Sequence, residues 1–164
     1  MLFRSCELRV PASPSQLEAL NGDLDRYDAE VRIAHLTRAM HELQAGGVEP
    51  DVWMLEGLER TEDCLRVVRQ ARAGERDSTA CIISDPLVHW ERVEQWLEVA
   101  GATPGFIGFA LGRSLWWEPL RALHHRQLTA SEAAQRICEN YQRAQILWER
   151  ASLRSSYPEQ ASLH

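Results

Sequence analysis

The sequence contains no lysine, so all eighteen of its basic residues are arginine. Lysine supplies the amine that forms the covalent imine of a Schiff-base enzyme, and arginine stays protonated and cannot replace it. Composition therefore excludes imine chemistry on a side chain of this protein. The net charge of −6, with acidic residues and arginines interleaved along the chain, also argues against a nucleic-acid partner, which selects a basic patch or stripe.

Cysteines, histidines and apolar runs are few or scattered. Cys6, Cys64, Cys81 and Cys138 lie far apart without a CxxC pair, and the six histidines show no i,i+4 pair on a helix, so we predict no disulfide framework, no metal site and no cofactor. No apolar run approaches the ~20 residues that cross a bilayer, and the charged N-terminus is unlike a signal peptide. These absences favour a cytoplasmic protein without a membrane partner.

Four short β-type runs, each bounded by Pro, Gly, Asp or Ser, cover residues 6–10, 52–55, 80–83 and 106–111. Each is followed by a helical pattern. Strands that alternate with helices predict a parallel sheet built from βαβ units, which is an α/β fold. We expect one domain over residues 1–153 and a loose tail over 154–164.

The helical patterns carry recognisable start and stop signals. A stripe of apolar residues from Ala29 to Leu43 ends at two glycines, and Ser84 or Asp85 is placed to cap the helix after the third strand. Pro86 suits the first turn of that helix. Two helices follow the fourth strand, over about 115–125 and 130–150, and Thr129 with Glu132 predicts a capping box for the second.

Neither a dinucleotide fold nor a P-loop has positive support, because no GxGxxG or GxxxxGK[ST] follows a strand. Four βα units also make half of an eight-stranded (β/α)8 barrel.

Several segments carry a resemblance to a known family: 26–28 with Arg32, 47–53, Leu-Glu-Gly at 55–57, and 105–120. In these segments the chain resembles the aldolase-like domain fused to the C-terminus of bacterial 5-dehydro-2-deoxygluconokinases of inositol catabolism, itself similar to tagatose-bisphosphate aldolases. The resemblance covers only the C-terminal half of such a domain. It implies strands five to eight of a TIM barrel and a setting in sugar-acid catabolism.

Two departures from the family pattern bear on chemistry. The family reads Trp-Lys-Leu/Ile-Glu-Gly, with lysine where the resemblance implies the Schiff base, and this chain has Met54 there. The family also tends to end its penultimate strand with Leu-Gly-Arg-Gly, which suits phosphate, whereas this chain has Ile83-Ser84-Asp85. A carboxylate at that point repels an anion.

Gly112, Arg113 and Ser114 follow a strand and open a helix, so backbone N–H groups, a guanidinium and a hydroxyl are predicted to converge on one phosphate. Barrel phosphate sites often follow strands seven and eight. The alternative is a tight turn with a surface arginine. Glu56 ends its strand where barrel enzymes place catalytic groups, and is the one candidate catalytic residue; otherwise it caps the next helix or pairs with an arginine such as Arg60.

Other candidates have structural interpretations. Glu7 lies in a strand run and is expected to form an ion pair with an arginine, because burying it alone is costly. Trp116 and Trp117 suit core or interface packing better than a lid over a sugar.

A four-stranded parallel sheet cut from a barrel has two unpaired edges, which favour association with a second copy or with a chain that supplies the missing half. A rearranged open sheet with helices on both faces is the third possibility. Two functions remain open. One is a catalytically degenerate aldolase-like half-barrel that keeps a sugar-phosphate site. The other is a lyase subunit that uses Glu56 and a lysine from another chain.

Overall fold

The computed structural model describes residues 3–85 and 89–156. Its sheet has four strands, all parallel, in the order in which they occur along the chain. The strands are β1 (Ser5–Leu8), β2 (Val52–Glu56), β3 (Ala80–Ser84) and β4 (Phe106–Ala110). The predicted α/β class and the four strand runs are confirmed, because consecutive parallel strands joined by helices are the repeated βαβ unit.

Seven helices occur in the described residues: α1 (Pro14–Ala19), α2 (Leu24–Glu30), α3 (Arg32–Ala45), α4 (Thr61–Ala71), α5 (Trp90–Gly101), α6 (Arg113–His124) and α7 (Ala130–Ser156). Helix α1 and most of α2 lie between the first strand and the apolar stripe that starts at Ala29. The signal for α1 is local: Ser13 and Gln16 form a reciprocal capping box, with proline in the first turn.

Two helix boundaries differ from expectation. Helix α5 begins at Trp90, and its N-cap, His89, makes no side-chain capping bond, so the prediction that Ser84 or Asp85 caps this helix is wrong. Pro86, assigned to its first turn, lies outside the described residues. Helix α7 continues to Ser156, so the expected loose tail is helical over its first three residues, and the rest lies outside the described residues. The capping box is confirmed: Thr129 N donates to Glu132 Oε2 and Glu132 N donates to Thr129 Oγ1.

One face of the sheet packs against helices. Alternate strand residues on that face join a buried apolar cluster with α3, α4 and α5; they include Trp53, Leu55, Cys81, Ile83 and Phe106. The register aligns these residues from strand to strand, as the two-residue period of a strand requires. This cluster is the core of the domain.

The opposite face of the sheet is more open. Glu7, Met54, Ile82 and Gly108 align across the four strands on this face, and none of them is buried. Ile107, beside a register shift in β4, is 63% exposed. Parallel sheets are normally covered on both faces. A parallel sheet with one packed face is the arrangement of βα units expected for part of a barrel wall.

None of the helices in the described residues has both the length and the apolar character needed to cross a membrane.

Candidate functional site at the carboxyl ends of the strands

The carboxyl ends of the strands bring the predicted site residues to one edge of the sheet. Glu56 is the last residue of β2, and it aligns with Ser84 of β3, which in turn aligns with Ala110 of β4. Gly112 and Arg113 follow two and three residues later, at the start of α6. The predicted catalytic and phosphate-binding residues therefore share one edge, where α/β proteins place their ligands.

Glu56 is fixed by a buried arginine from α3. Arg32, 3% exposed, lies with Nη1 3.3 Å from Glu56 Oε2, and its Nη2 donates to the carbonyl of Gly57 over 2.8 Å. Its Nε lies 3.0 Å from Asp28 Oδ1. Two of the segments that carry the family resemblance, 26–32 and 55–57, thus meet in one ion cluster. Arg60, which the sequence offered as one example of a partner for Glu56, pairs instead with Asp63 at 2.8 Å.

A second arginine extends the cluster from α5. Arg92 lies 2.6 Å from Asp28 Oδ2 and 2.7 Å from Glu59 Oε1, with its guanidinium carbon 5.4 Å from the centre of the Trp96 ring. Burial opposes its charge, but Glu59 and Asp28 outweigh that effect and raise the pKa of Arg92. The two guanidiniums therefore lie among the carboxylates of Asp28, Glu56 and Glu59.

Gly57 lies in close contact with a buried aromatic ring. The Trp96 ring packs so near its Cα that an added Cβ would overlap the ring carbons Cγ, Cδ2 and Cε3. Arg32 binds the carbonyl of the same residue. The Leu-Glu-Gly motif is therefore required for packing: glycine admits the indole, and the cluster holds the chain where β2 ends.

Tyr27 ties the same cluster to the first strand. Its side chain is 2% exposed, and its hydroxyl donates to the carbonyl of Val10 over 2.9 Å, just beyond β1. Burial raises the pKa of Tyr27, so this hydroxyl stays protonated and acts as a donor. The segment 26–28 is thereby anchored at the edge where the strands end.

The N-terminus of α6 already holds a carboxylate from its own chain. The backbone N–H of Gly112 donates to Asp85 Oδ2 over 2.7 Å, and Asp85 is 7% exposed. Arg9 Nη2 lies 3.4 Å from the Asp85 carbonyl. Helix N-termini attract anions, and here the anion is an aspartate side chain. Arg113, the first residue of α6, is exposed.

Ser84 is a residue that sequence reasoning did not identify as functional. Its side chain is 3% exposed, and its Oγ has no hydrogen-bond partner. A buried hydroxyl without a partner costs about 1–3 kcal/mol, so native structures rarely keep one without a reason. The only sequence signal was its position, the last residue of a buried strand followed by an acid.

Met54 lies on the open face of the sheet, two residues before Glu56 at the end of β2. It aligns with Glu7 of β1 and Ile82 of β3 and is partly exposed. Its thioether is a weak acceptor without a proton to exchange. The expected ion pair of Glu7 is confirmed nearby, with Arg9 Nη2 3.1 Å from its Oε1.

Burial keeps two of the cysteines unreactive. Burial raises the pKa of Cys64 and of Cys81 to about 12, so both thiols stay protonated and unreactive near neutral pH. Within residues 3–85 and 89–156, no group of three or more His, Cys, Asp or Glu side chains is arranged to hold a metal ion. Trp117 is 44% exposed on α6 and contacts Trp116 with ring centres 6.1 Å apart.

Comparison with known proteins adds a family but no activity. A family model, DUF2090, described as an uncharacterized protein conserved in bacteria, matches residues 17–152. The chain belongs to the DUF2090 family. The match includes β2, β3, β4 and the whole Arg32 cluster, while β1 of this DUF2090 chain lies outside it. No curated protein matches the DUF2090 chain, and no solved structure matches it.

Proposed function

We propose that this DUF2090 chain is a catalytically degenerate, aldolase-like half-barrel that binds a sugar phosphate at the carboxyl ends of its strands. The observation that carries the proposal is the convergence of Glu56, Ser84 and the start of α6 on one edge of a parallel sheet in a chain without lysine. This edge is the ligand-binding side of βα barrels. The setting in inositol or sugar-acid catabolism rests on the sequence resemblance.

The proposal separates binding from lyase chemistry. Met54 stands where the resemblance implies a lysine, and Glu56 is paired with Arg32. The Arg32 guanidinium binds Oε2 of this carboxylate, so Glu56 makes a structural contact in the folded chain. The alternative, a lyase subunit completed by another chain, needs a foreign lysine and the release of Glu56 from this pair. Binding alone needs neither.

Phosphate is proposed to bind at the start of α6, through the N–H of Gly112, the guanidinium of Arg113 and the hydroxyl of Ser114. The Asp85 carboxylate accepts the Gly112 N–H and must yield to an incoming phosphate. A helix terminus and one charge-assisted bond are each worth only ~1–3 kcal/mol, and Asp85 opposes them. A dissociation constant on the order of 1 mM or weaker follows, which corresponds to ~4 kcal/mol or less.

Calorimetric titration with inorganic phosphate tests this site. We expect Arg113→Ala to abolish the binding and Asp85→Asn to tighten it several-fold, because asparagine keeps an acceptor for Gly112 but loses the repelling charge. Arg121→Ala is the matched control, since it removes an exposed arginine at the other end of α6. Unchanged binding in Arg113→Ala, or equal losses in both arginine variants, would contradict a site at Gly112, Arg113 and Ser114.

The open sheet face and the two edge strands support a proposal on assembly. We propose that a second copy covers them, with β1 of each chain beside β4 of the other, so that two four-stranded sheets close one eight-stranded ring. Closure removes exposed edges and buries a parallel sheet on its second face. The Glu7–Arg9 ion pair is neutral within each chain, so a two-fold axis brings no unpaired like charges together there.

Light scattering should give the mass of two chains at micromolar concentration. Ile107→Glu places a charge on the open face, at a side chain 63% exposed, and should yield monomers with an unchanged circular dichroism spectrum. Leu153→Glu is the control, because that side chain is 61% exposed on α7. A monomeric wild-type chain would refute closure by a second copy and favour a different chain as the missing half.

A further inference from the structure

Among the residues that the structure describes, Ser84 carries the one buried side-chain oxygen without a hydrogen-bond partner, and it lies at the edge where the strands end. Other buried side-chain atoms without a hydrogen-bond partner are nitrogens, and they belong to the core tryptophans or to the two ion-paired guanidiniums: Trp53, Trp96, Arg32 and Arg92. Those positions lie on the packed side of the sheet or inside the ion cluster. Ser84, which ends β3, belongs to neither group.

Strand alternation determines where this hydroxyl points. Ile83 packs into the core cluster, so Ser84, the next residue, projects from the opposite face. Leu55 and Glu56 repeat the same pair of directions on β2, and Glu56 is the register partner of Ser84. On the other side, β4 presents only Ala110 at the same level. A hydroxyl and a carboxylate therefore lie side by side on one face, next to a small side chain.

The chemistry of this pair selects uncharged ligand groups. A serine hydroxyl donates one hydrogen bond and accepts two, whereas an ionised carboxylate only accepts. Arg32 engages Glu56 through Oε2 alone. Alcohol groups meet these demands, because each of them donates one bond and accepts others. A second phosphate or carboxylate would be repelled here by Glu56 and Asp85.

We propose that Ser84 and Glu56 form a subsite for the hydroxyl groups of an open-chain sugar phosphate, whose phosphate lies at the start of α6. This inference rests on the proposed function and names the part of the ligand that the phosphate site leaves unassigned. Glu56 and the end of β4 are two strand spacings apart, ~10 Å. A linear polyol phosphate spans that distance along the edge, with its charged end at Arg113 and its alcohols at β3 and β2.

The test compares D-glucitol 6-phosphate, a linear polyol phosphate, with inorganic phosphate by calorimetry. The wild-type chain should bind D-glucitol 6-phosphate about three- to tenfold more tightly than phosphate, the range that one or two hydrogen bonds provide. Ser84→Ala should remove most of that advantage and leave phosphate binding unchanged. Ser15→Ala, on the exposed side of α1, is the matched control.

The variant is expected to fold, because alanine removes a buried hydroxyl that makes no protein hydrogen bond. A melting temperature equal to or above that of the wild type would verify this. If both probes bind equally and Ser84→Ala changes neither, the subsite is refuted while the phosphate site stands. If Ser84→Ala weakens both probes alike, the hydroxyl contacts phosphate and the assignment to alcohols is wrong. Failure of both probes to bind would overturn the subsite and the proposed function together.

Discussion

Replacing Arg32 with methionine will lower the free energy of unfolding by about 3–5 kcal/mol, the cost of breaking a buried ion pair from one side. The variant leaves Glu56 and the carbonyl of Gly57 without the guanidinium that binds them, and Asp28 retains only Arg92. Methionine fills much of the volume but supplies no donor. Urea denaturation followed by tryptophan fluorescence measures the change.

Two further variants serve as comparisons for Arg32→Met. Arg38→Met, on the same helix, removes an arginine whose side chain is 77% exposed and paired with Glu42, and should leave stability unchanged. Arg32→Lys should recover only part of the loss, because a single ammonium cannot reach two carboxylates and a carbonyl together. If Arg32→Met is as stable as Arg38→Met, the cluster contributes nothing net and its carboxylates are held by other contacts.

The substitution Gly57→Ala will cost about 3 kcal/mol, at the upper end of the usual range for overpacking a core. The new Cβ overlaps the Trp96 ring, and Trp96 is 2% exposed with the core cluster around it, so neither group has room to move. For a domain of this size, the melting temperature should fall by ~6–12 °C. Differential scanning calorimetry measures that shift.

Gly46→Ala is the control for Gly57→Ala. Its new Cβ lies 3.4 Å from the backbone oxygens of Glu42 and Leu43, an ordinary van der Waals distance, so stability should change little. Gly57→Ala should lower the free energy of unfolding less in a Trp96→Leu background than in the wild type, because the ring that the new Cβ overlaps is then absent. Equal stability of the two glycine variants would show that the indole is free to shift.

The arginine that binds Glu56 in the ion cluster is distant from it in sequence. The sequence places Glu56 at the end of a strand and offers a neighbouring arginine such as Arg60 as one possible partner. Arg32, from the helix before the strand, occupies that role, 24 residues earlier in the chain. Helix α3 packs against α4, and its buried side carries Arg32 together with Ile33 and Leu36. Sequence spacing does not encode such a pairing, because it depends on how a helix lies on the sheet.

Asp85 and Ser84 also have surroundings that neighbouring residues in the sequence do not predict. Ser84 or Asp85 was expected to cap the helix that follows, and a helix cap is a local prediction that needs only neighbouring residues. Instead the Asp85 carboxylate accepts the N–H of Gly112, 27 residues later, because β3 and β4 are adjacent and end at the same edge. The Ser84 hydroxyl lacks a hydrogen-bond partner because of the packing around it, which the sequence does not specify.

Residue types and short-range spacing predicted the α/β class, the four strand runs, the capping box of α7, an ion pair of Glu7 with an arginine, and the lack of an amine for imine chemistry. Each depends on residue type or on neighbours within a few positions, which the chain specifies directly. The partners of Glu56, Asp85 and Gly57, and the lack of a hydrogen-bond partner for the Ser84 hydroxyl, follow from the three-dimensional fold. Those depend on contacts between segments that are distant in sequence, and the packing of helices on the parallel sheet brings them together.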